Sequence, residues 1–510
     1  MDTYKKWQPF LLGLCAAIGL FAGMNMRQAQ QPNSKAKEQT NIPHNNVQKI
    51  TDVLSYIQSK YVDSLDMEVS TDVALESLLA CLDPYSEYIP VNRIPFYTAQ
   101  ISGKQRNFGL DLLPIDSQIV ITQIEKTSPA FKAGIETGDY LLSINNQDVS
   151  PLRYNFDSLL NAIENEIVDT LKISCLLRKE NIIKEINFPL QEFDDHPVSN
   201  VHIPVAGVLY LKLKQVSKAS YREFMNVLET HISTKKCKHL ILDLRGNTGG
   251  LVHEAASILN QLIQEKELLL FKTSSSKTKD KEYKSTGKPF FILDKIIVLI
   301  DHKTASAAEL IAASLQDLDR AIIIGQKSYG KSTVLEQFSL ADGSAIRLAV
   351  SRYITASGRC IQKQYEALSS NYYVASPNWN LDTNFYSLKK RKLPSGKGVV
   401  PDLFVASEKD TVSDLIQDYA NRIVVSNIIE FRNLIQSDPE KLENDTKVKL
   451  LIESEIAKLK LIIKLPFQDI KLFEVCKLTL AEWVFGTALK ERMLLLNDKN
   501  LEVAIKKILE

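Results

Sequence analysis

Hydrophobic positions change their period several times along this chain. Between Asn46 and Glu87 they recur at helical spacing, through Val53, Ile57 and Tyr61 and then Leu75, Leu78, Leu79 and Leu82, and the pattern stops at Leu82-Asp83-Pro84-Tyr85-Ser86. A helical N-terminal segment over residues 47–97 is the expectation. Further on, Leu240-Ile-Leu-Asp243, Lys295-Ile-Ile-Val-Leu-Ile-Asp301 and Ala321-Ile-Ile-Ile324 are short, apolar, β-branched runs of the kind that form buried strands. Ala305 to Leu315 is rich in helix formers. Thr333 to Leu340, Ala341-Asp-Gly343 and Ala345 to Tyr353 predict strand, turn and strand. Thr411 to Glu510 carries an amphipathic helical pattern with one break near Pro466. Strands and helices mixed in this way predict an α/β multidomain protein.

The N-terminus adds a cellular address to that picture. Lys5 and Lys6 precede the apolar stretch Pro9 to Met24, which is shorter than the roughly 20 residues of a full membrane span but resembles a signal peptide or an uncleaved anchor. No good small-x-small cleavage site follows, which favours an anchor over residues 1–26 with its positive flank in the cytoplasm. The polar tract Gln28 to Asn46 reads as a flexible tether, residues 27–46. The expectation is an extracytoplasmic protein, on the periplasmic side of the inner membrane. A net charge of +1 argues against nucleic acid as an obligate partner. The six cysteines lack metal-ligand spacing and read as buried thiols, and the seven histidines include no HExxH, so neither metal nor cofactor is expected. His253 and His302 read as ordinary turn residues. The polar span Gln364 to Lys397, with Tyr372-Tyr373 and Lys389-Lys390-Arg391-Lys392, reads as a surface insertion.

Candidate chemistry centres on Ser306, placed between a buried strand and a helix, and on Lys331, which follows the turn Gly325 to Gly330. A serine hydroxyl is a weak nucleophile that needs an adjacent unprotonated base, and a lysine fills that role when burial disfavours its charged form. The first helical turn leaves its N–H groups without partners, so the amide of Ala307 could help hold an oxyanion. The glycine-rich turn Arg245-Gly246-Asn247-Thr-Gly249-Gly250 suits the other half of such a hole. A rival reading is nucleotide binding, since Gly325-Gln-Lys-Ser-Tyr-Gly330-Lys331-Ser332 satisfies the Walker A pattern. A phosphate loop must open a helix, whereas this one leads into a predicted strand.

Four motifs in order, Leu242-Asp-Leu-Arg-Gly-Asn-Thr-Gly-Gly250, Ala305-Ser-Ala-Ala-Glu309, Tyr329-Gly-Lys-Ser332 and Gly398-Val-Val-Pro-Asp402, resemble those of the C-terminal processing peptidases, or tail-specific proteases. The resemblance implies a crotonase/ClpP-like α/β core over residues 191–405. It implies Ser306 as nucleophile, Lys331 as base, the amides of Gly250 and Ala307 as oxyanion hole, and Glu309 as a carboxylate supporting the dyad. Upstream, Asn107-Phe-Gly-Leu-Asp-Leu112 and Ser128 to Asn146 resemble a PDZ domain of the permuted type, residues 98–190, with Phe108, Gly109 and Leu110 as the loop that takes a terminal carboxylate. The implied partners are protein or peptide substrates with free C-termini. One departure is Leu335, where the family commonly has a glutamine that orients the lysine; Gln337 would substitute only if a bulge shifts the register. A catalytically inactive peptide-binding scaffold is therefore the second expectation, and a crotonase-like enzyme of other chemistry a third. Residues 406–510 lie outside the resemblance. Packing on the core, a homo-oligomer or adaptor contact, and a gate all stay open for them.

Overall fold

An apolar run such as Ile296–Ile300 is stable as a strand only when covered on both faces, and in the computed structural model all of its side chains are buried. The structure describes residues 44–107, 109–125, 128–149, 170–178, 181–189, 191–194, 196–277, 279–363, 384–406, 414–436, 438–463 and 465–510. The proposed anchor and most of the tether lie outside them. Among the described residues no helix is long and apolar enough to cross a membrane.

Residues 1–74 and 75–510 form two units. In the first, His44–Lys60 is helical. The predicted N-terminal helix is not continuous, because a break at 61–66 precedes the helix Met67–Ala80. In the second unit, the segment after Pro84 becomes the short strand Glu87–Ile89.

The core sheet runs in the order Val198–Val205, Val208–Leu213, His239–Asp243, Ile296–Ile300, Ile322–Gly325 and Leu403–Phe404. Its first pair is antiparallel and the rest are parallel. Helices Ser220–Leu228, Val252–Leu262 and Ala307–Asp317 contribute Phe224, Leu259 and Leu310 to the apolar layer on one face. The other face is closed by the helix Lys499–Leu509, whose Leu501, Ala504 and Ile508 pack on Tyr210, Ile241, Ile297, Leu299 and Ile324. A second sheet pairs the long strand Ala345–Thr355 with Glu87–Ile89, Lys266–Ser274 and Thr333–Ser339. The Walker-like turn accordingly opens the strand Thr333–Ser339, not a helix.

Leu110–Ile115, Gln118–Ile124, Tyr140–Ile144, Thr170–Leu177 and Ile182–Pro189 form a separate antiparallel sheet around Ile119, Ile121, Leu141 and Cys175. The architecture is α/β and multidomain, as expected. Of the polar span after Gln364, the described residues 384–397 are largely exposed and are tied to the core through Arg391. Phe385–Tyr386 pairs with Lys392–Leu393, and Arg391 binds Asp319 and Asp402, each at 2.5 Å.

The C-terminal region has more breaks than the single one expected at Pro466. Its helices are Asp414–Ile435, Pro439–Asn444, Thr446–Ile462, Asp469–Phe485, Thr487–Leu495 and Lys499–Leu509. Asp438, Asp445 and Asp498 each cap one of them by accepting a backbone N–H. This region bridges two domains. Its Ile423, Val424 and Ile428 share a core with Ile115 and Val120 of the antiparallel sheet, while Arg178 donates to the Val425 carbonyl at 2.5 Å. Toward the six-stranded core sheet, Lys212 binds Glu491 at 2.7 Å and Arg245 binds Asp498 at 2.6 Å.

Candidate active site

Three turns leave the carboxyl ends of adjacent parallel strands and meet at one edge of the core sheet, where α/β folds commonly place ligands. The first follows Asp243 and carries Gly249 and Gly250. The second follows Ile300 and carries Ser306. The third follows Gly325 and carries Lys331.

Backbone groups lock the first two turns together. Asp301 Oδ1 accepts N–H bonds from Gly246, Lys303 and Thr304, each at 3.0 Å, and Thr304 Oγ1 donates to the Leu244 carbonyl at 2.9 Å. Ala305 N–H donates to the Asn247 carbonyl at 2.9 Å, and Asn247 Oδ1 accepts Gly249 N–H at 2.8 Å. Gly249 must be glycine: its φ is +99°, and a Cβ there would lie 2.7 Å from Ser306 Cβ and 2.8 Å from Ala307 N. Gly250, at φ +143°, would drive a Cβ to 2.0 Å from the Val216 carbonyl oxygen.

Ser306 is the N-cap of Ala307–Asp317 at φ 55°, ψ −121°, a conformation that costs a non-glycine residue about 1–3 kcal/mol and that clusters at functional sites. It is partly exposed. Among the described residues, neither the Gly250 nor the Ala307 N–H donates to a protein acceptor; Ala307 directly follows Ser306, and Gly250 directly follows Gly249, which packs against Ser306. Two unspent donors beside a strained serine can hold a negative oxygen.

Glu309 is fully buried on the first turn of that helix. Its Oε2 accepts the N–H of Ser306 at 2.9 Å and of Lys331 at 2.8 Å. Its Oε1 accepts Gly330 N–H at 2.7 Å and Ser328 Oγ–H at 2.5 Å. Burial pushes its carboxyl up to about 7, and the four donated bonds pull against that rise. Ser328 Oγ also accepts Val399 N–H at 2.6 Å, so the motif ending in Asp402 clamps the third turn.

Lys331 is half-buried, and burial lowers its pKa. Arg347 pushes the same way, while Glu87, Asp83 and Glu309 oppose it. Leu335 leaves the expected orienting position apolar. The strand does carry an irregularity at Val334/Leu335, but the extra residue lies in Ala345–Thr355, and Gln337 is exposed opposite Arg347. Gln337 therefore does not take the vacant role. Residues that sequence reasoning missed surround Lys331 instead. Tyr353 donates its hydroxyl to the Lys331 carbonyl and reaches the Ser306 side chain. Gln362 and Tyr85 also contact this turn. The only signal for Tyr85 was its place where the N-terminal helical pattern stops; Tyr353 and Gln362 gave none.

Of the predicted carboxylate loop, Phe108 lies outside the described residues. Gly109 has φ 66° and accepts Glu125 N–H at 2.8 Å, and Leu110 pairs with Ile124 at the start of an edge strand. Among the described residues that strand pairs on one side only within its sheet.

Residues 207–370 match the profile described as Peptidase family S41, residues 13–92 that of the activating protease CtpB N-terminal domain, and residues 120–168 that of a PDZ domain. The chain is 27% identical over 319 residues to the carboxy-terminal processing protease CtpA of Bacillus subtilis (strain 168), covering 62% of this chain and 66% of that protein. It is 25% identical over 360 residues to CtpB of the same organism, covering 69% and 74%. Among solved structures, a photosystem II D1 C-terminal processing protease aligns with TM-score 0.38 and 21% identity over 70% of this chain and 87% of that one.

Proposed function

Taking as premise that the S41, PDZ and carboxy-terminal processing protease matches support a C-terminal processing peptidase of serine type, we propose that this chain is an endopeptidase using a Ser306–Lys331 dyad. Its PDZ domain would bind the free C-termini of its protein substrates. The observation that carries the dyad is the shared carboxylate oxygen: Glu309 Oε2 fixes the backbone of both residues at 2.9 and 2.8 Å.

The cycle follows from the groups present. Neutral Lys331 takes the Ser306 Oγ proton as Oγ bonds to the scissile carbonyl carbon, and the amides of Gly250 and Ala307 hold the resulting oxyanion. The C–N bond then breaks as the Lys331 ammonium returns that proton to the leaving amine. Water adds to the acyl-enzyme, giving one proton to Lys331, and Ser306 regains it as the C–Oγ bond breaks; the new carboxylic acid leaves and releases its proton to solvent. A peptide lying along the free edge of Leu110–Ile115 would extend the PDZ sheet, with Phe108, Gly109 and Leu110 at its carboxylate. Residues 1–26 would anchor the chain at the inner membrane with its catalytic part on the periplasmic side.

The test is turnover of an unfolded protein with an apolar C-terminus. Wild type should cleave it, Ser306→Ala should not, and Ser306→Ala should still bind the tail in a manner lost when the terminal carboxylate is amidated. Leu335 favours a second reading, a silent peptide-binding scaffold. Absence of wild-type turnover with intact tail binding would establish it.

A further inference from the structure

With Leu335 at the usual orienting position, an aromatic ring brought from far upstream faces the Lys331 ammonium. Nζ lies 4.6 Å from the centroid of Tyr85. Tyr85 is held in place from both sides. Its N–H donates to Asp83 Oδ1 at 2.8 Å, which accepts Ser86 N–H at 2.8 Å as well. Ser86 Oγ accepts Ala349 N–H at 3.2 Å, and the next residues pair Glu87 with Arg347 and Ile89 with Ala345. The Tyr85 hydroxyl accepts Gln362 Nε2–H at 3.4 Å. Gln362 is fully buried; it accepts Ser332 N–H at 2.8 Å and donates to the Gly330 carbonyl at 3.1 Å. One glutamine thus grips the backbone on both sides of Lys331 and the ring beneath its side chain.

We infer that Tyr85 is a positioning residue for Lys331, its ring face holding the ammonium that forms when Ser306 gives up its proton, with Gln362 joining ring and lysine backbone into one unit. The assignment rests on the Ser306–Lys331 reading of the site. The negative face of an aromatic ring attracts a cation far more than a neutral amine. Its attraction therefore grows as Lys331 gains the proton, in the transition state more than in the ground state. The charged groups around Lys331 are Arg347, Glu87, Asp83 and Glu309, with the Tyr353 hydroxyl on its carbonyl. All of them persist when only the ring is removed.

The experiment has one arm that needs no turnover. In Ser306→Ala protein labelled with 13C at lysine Cε, the ring current of Tyr85 should move the Lys331 ε-methylene signal upfield, the signal being assigned by its loss in Lys331→Arg. The displacement should persist in Tyr85→Phe and vanish in Tyr85→Leu, where Lys331 should also titrate about half a unit to one unit lower. In the active enzyme, Tyr85→Leu should lower kcat about tenfold with KM within about twofold, and move the acidic limb of the pH–rate profile down by the same interval. Tyr85→Phe should keep most of the turnover and the wild-type limb. A purely structural role would reduce activity without moving the limb. An undisplaced Lys331 signal in the Ser306→Ala protein, or an unmoved limb in Tyr85→Leu, overturns the assignment. Absence of Ser306-dependent turnover in the wild type overturns the dyad reading instead, and the resonance arm then still decides for or against the contact with Tyr85.

Discussion

Gly249 lies against Ser306 with no room for a side chain: a Cβ would approach Ser306 Cβ to 2.7 Å. Gly249→Ala should therefore push Ser306 or the Ala307 amide out of place. The expected loss is about 100-fold or more in kcat, the scale of removing one oxyanion donor. PDZ-dependent tail binding should be unchanged, as steady-state kinetics beside a fluorescence binding titration will reveal.

Glu309→Gln replaces a carboxylate that accepts from Ser306, Lys331, Gly330 and Ser328 by a group with one acceptor atom. At least one buried donor then loses its partner, at about 1–3 kcal/mol. A second consequence concerns pH. Because burial raises Glu309 to about 7, the folded chain holds a proton that the unfolded chain releases near the ordinary carboxylate pKa, so this stabilising contribution is full below that ordinary value and fades as pH rises toward 7. Urea midpoints across that window should slope downward in wild type, and the slope should flatten in Glu309→Gln.

Burial lowers the pKa of Lys331, so the neutral base persists further below 10.5 than in a free lysine. Turnover should fall as pH drops through its folded value, because the protonated amine cannot accept the Ser306 proton. Lys331→Ala should be nearly inactive at every pH and lack that limb. A wild-type profile flat down to about pH 5 would exclude lysine as the base.

Arg245 joins buried Asp243 at 2.6 Å to Asp498 at 2.6 Å. Arg245→Ala strands the Asp243 charge, and breaking a buried pair in this way costs about 3–5 kcal/mol. The guanidinium holds the Asp243 carboxyl below its usual range. Its contribution is thus present above the ordinary aspartate pKa and is lost as pH falls through the lowered one. Thermal unfolding should show the largest gap between wild type and variant near neutrality, narrowing in acid.

Much of the core was legible because its signals are local. The runs at Leu240, Ile296 and Ala321 became adjacent parallel strands, and the turns after them carry Gly250, Ser306 and Lys331. Tyr85, Tyr353 and Gln362 were not legible as site residues. Tyr85 reaches Lys331 because Glu87–Ile89 pairs with Ala345–Thr355, a contact across the sequence that no hydrophobic period encodes, while Tyr353 arrives through the pairing of Thr333–Ser339 with Ala345–Thr355 and Gln362 through its bonds to Gly330 and Ser332. The bulge that Gln337 would need to replace the missing glutamine is also decided by strand pairing, and its extra residue falls in the partner strand. Helicity after Thr411 was plain, but its breaks at Asp438, Asp445 and Asp498 were capping signals that a search for proline alone passes over. Which surfaces those helices cover is decided by tertiary packing.

That cover has a temporal side. The helix Lys499–Leu509 shields Ile241, Ile297 and Ile324, yet it is translated long after Ser306 and Lys331. A nascent chain that has just emerged past Ser306 still exposes one flank of its central sheet, the sort of surface that favours aggregation and invites chaperones.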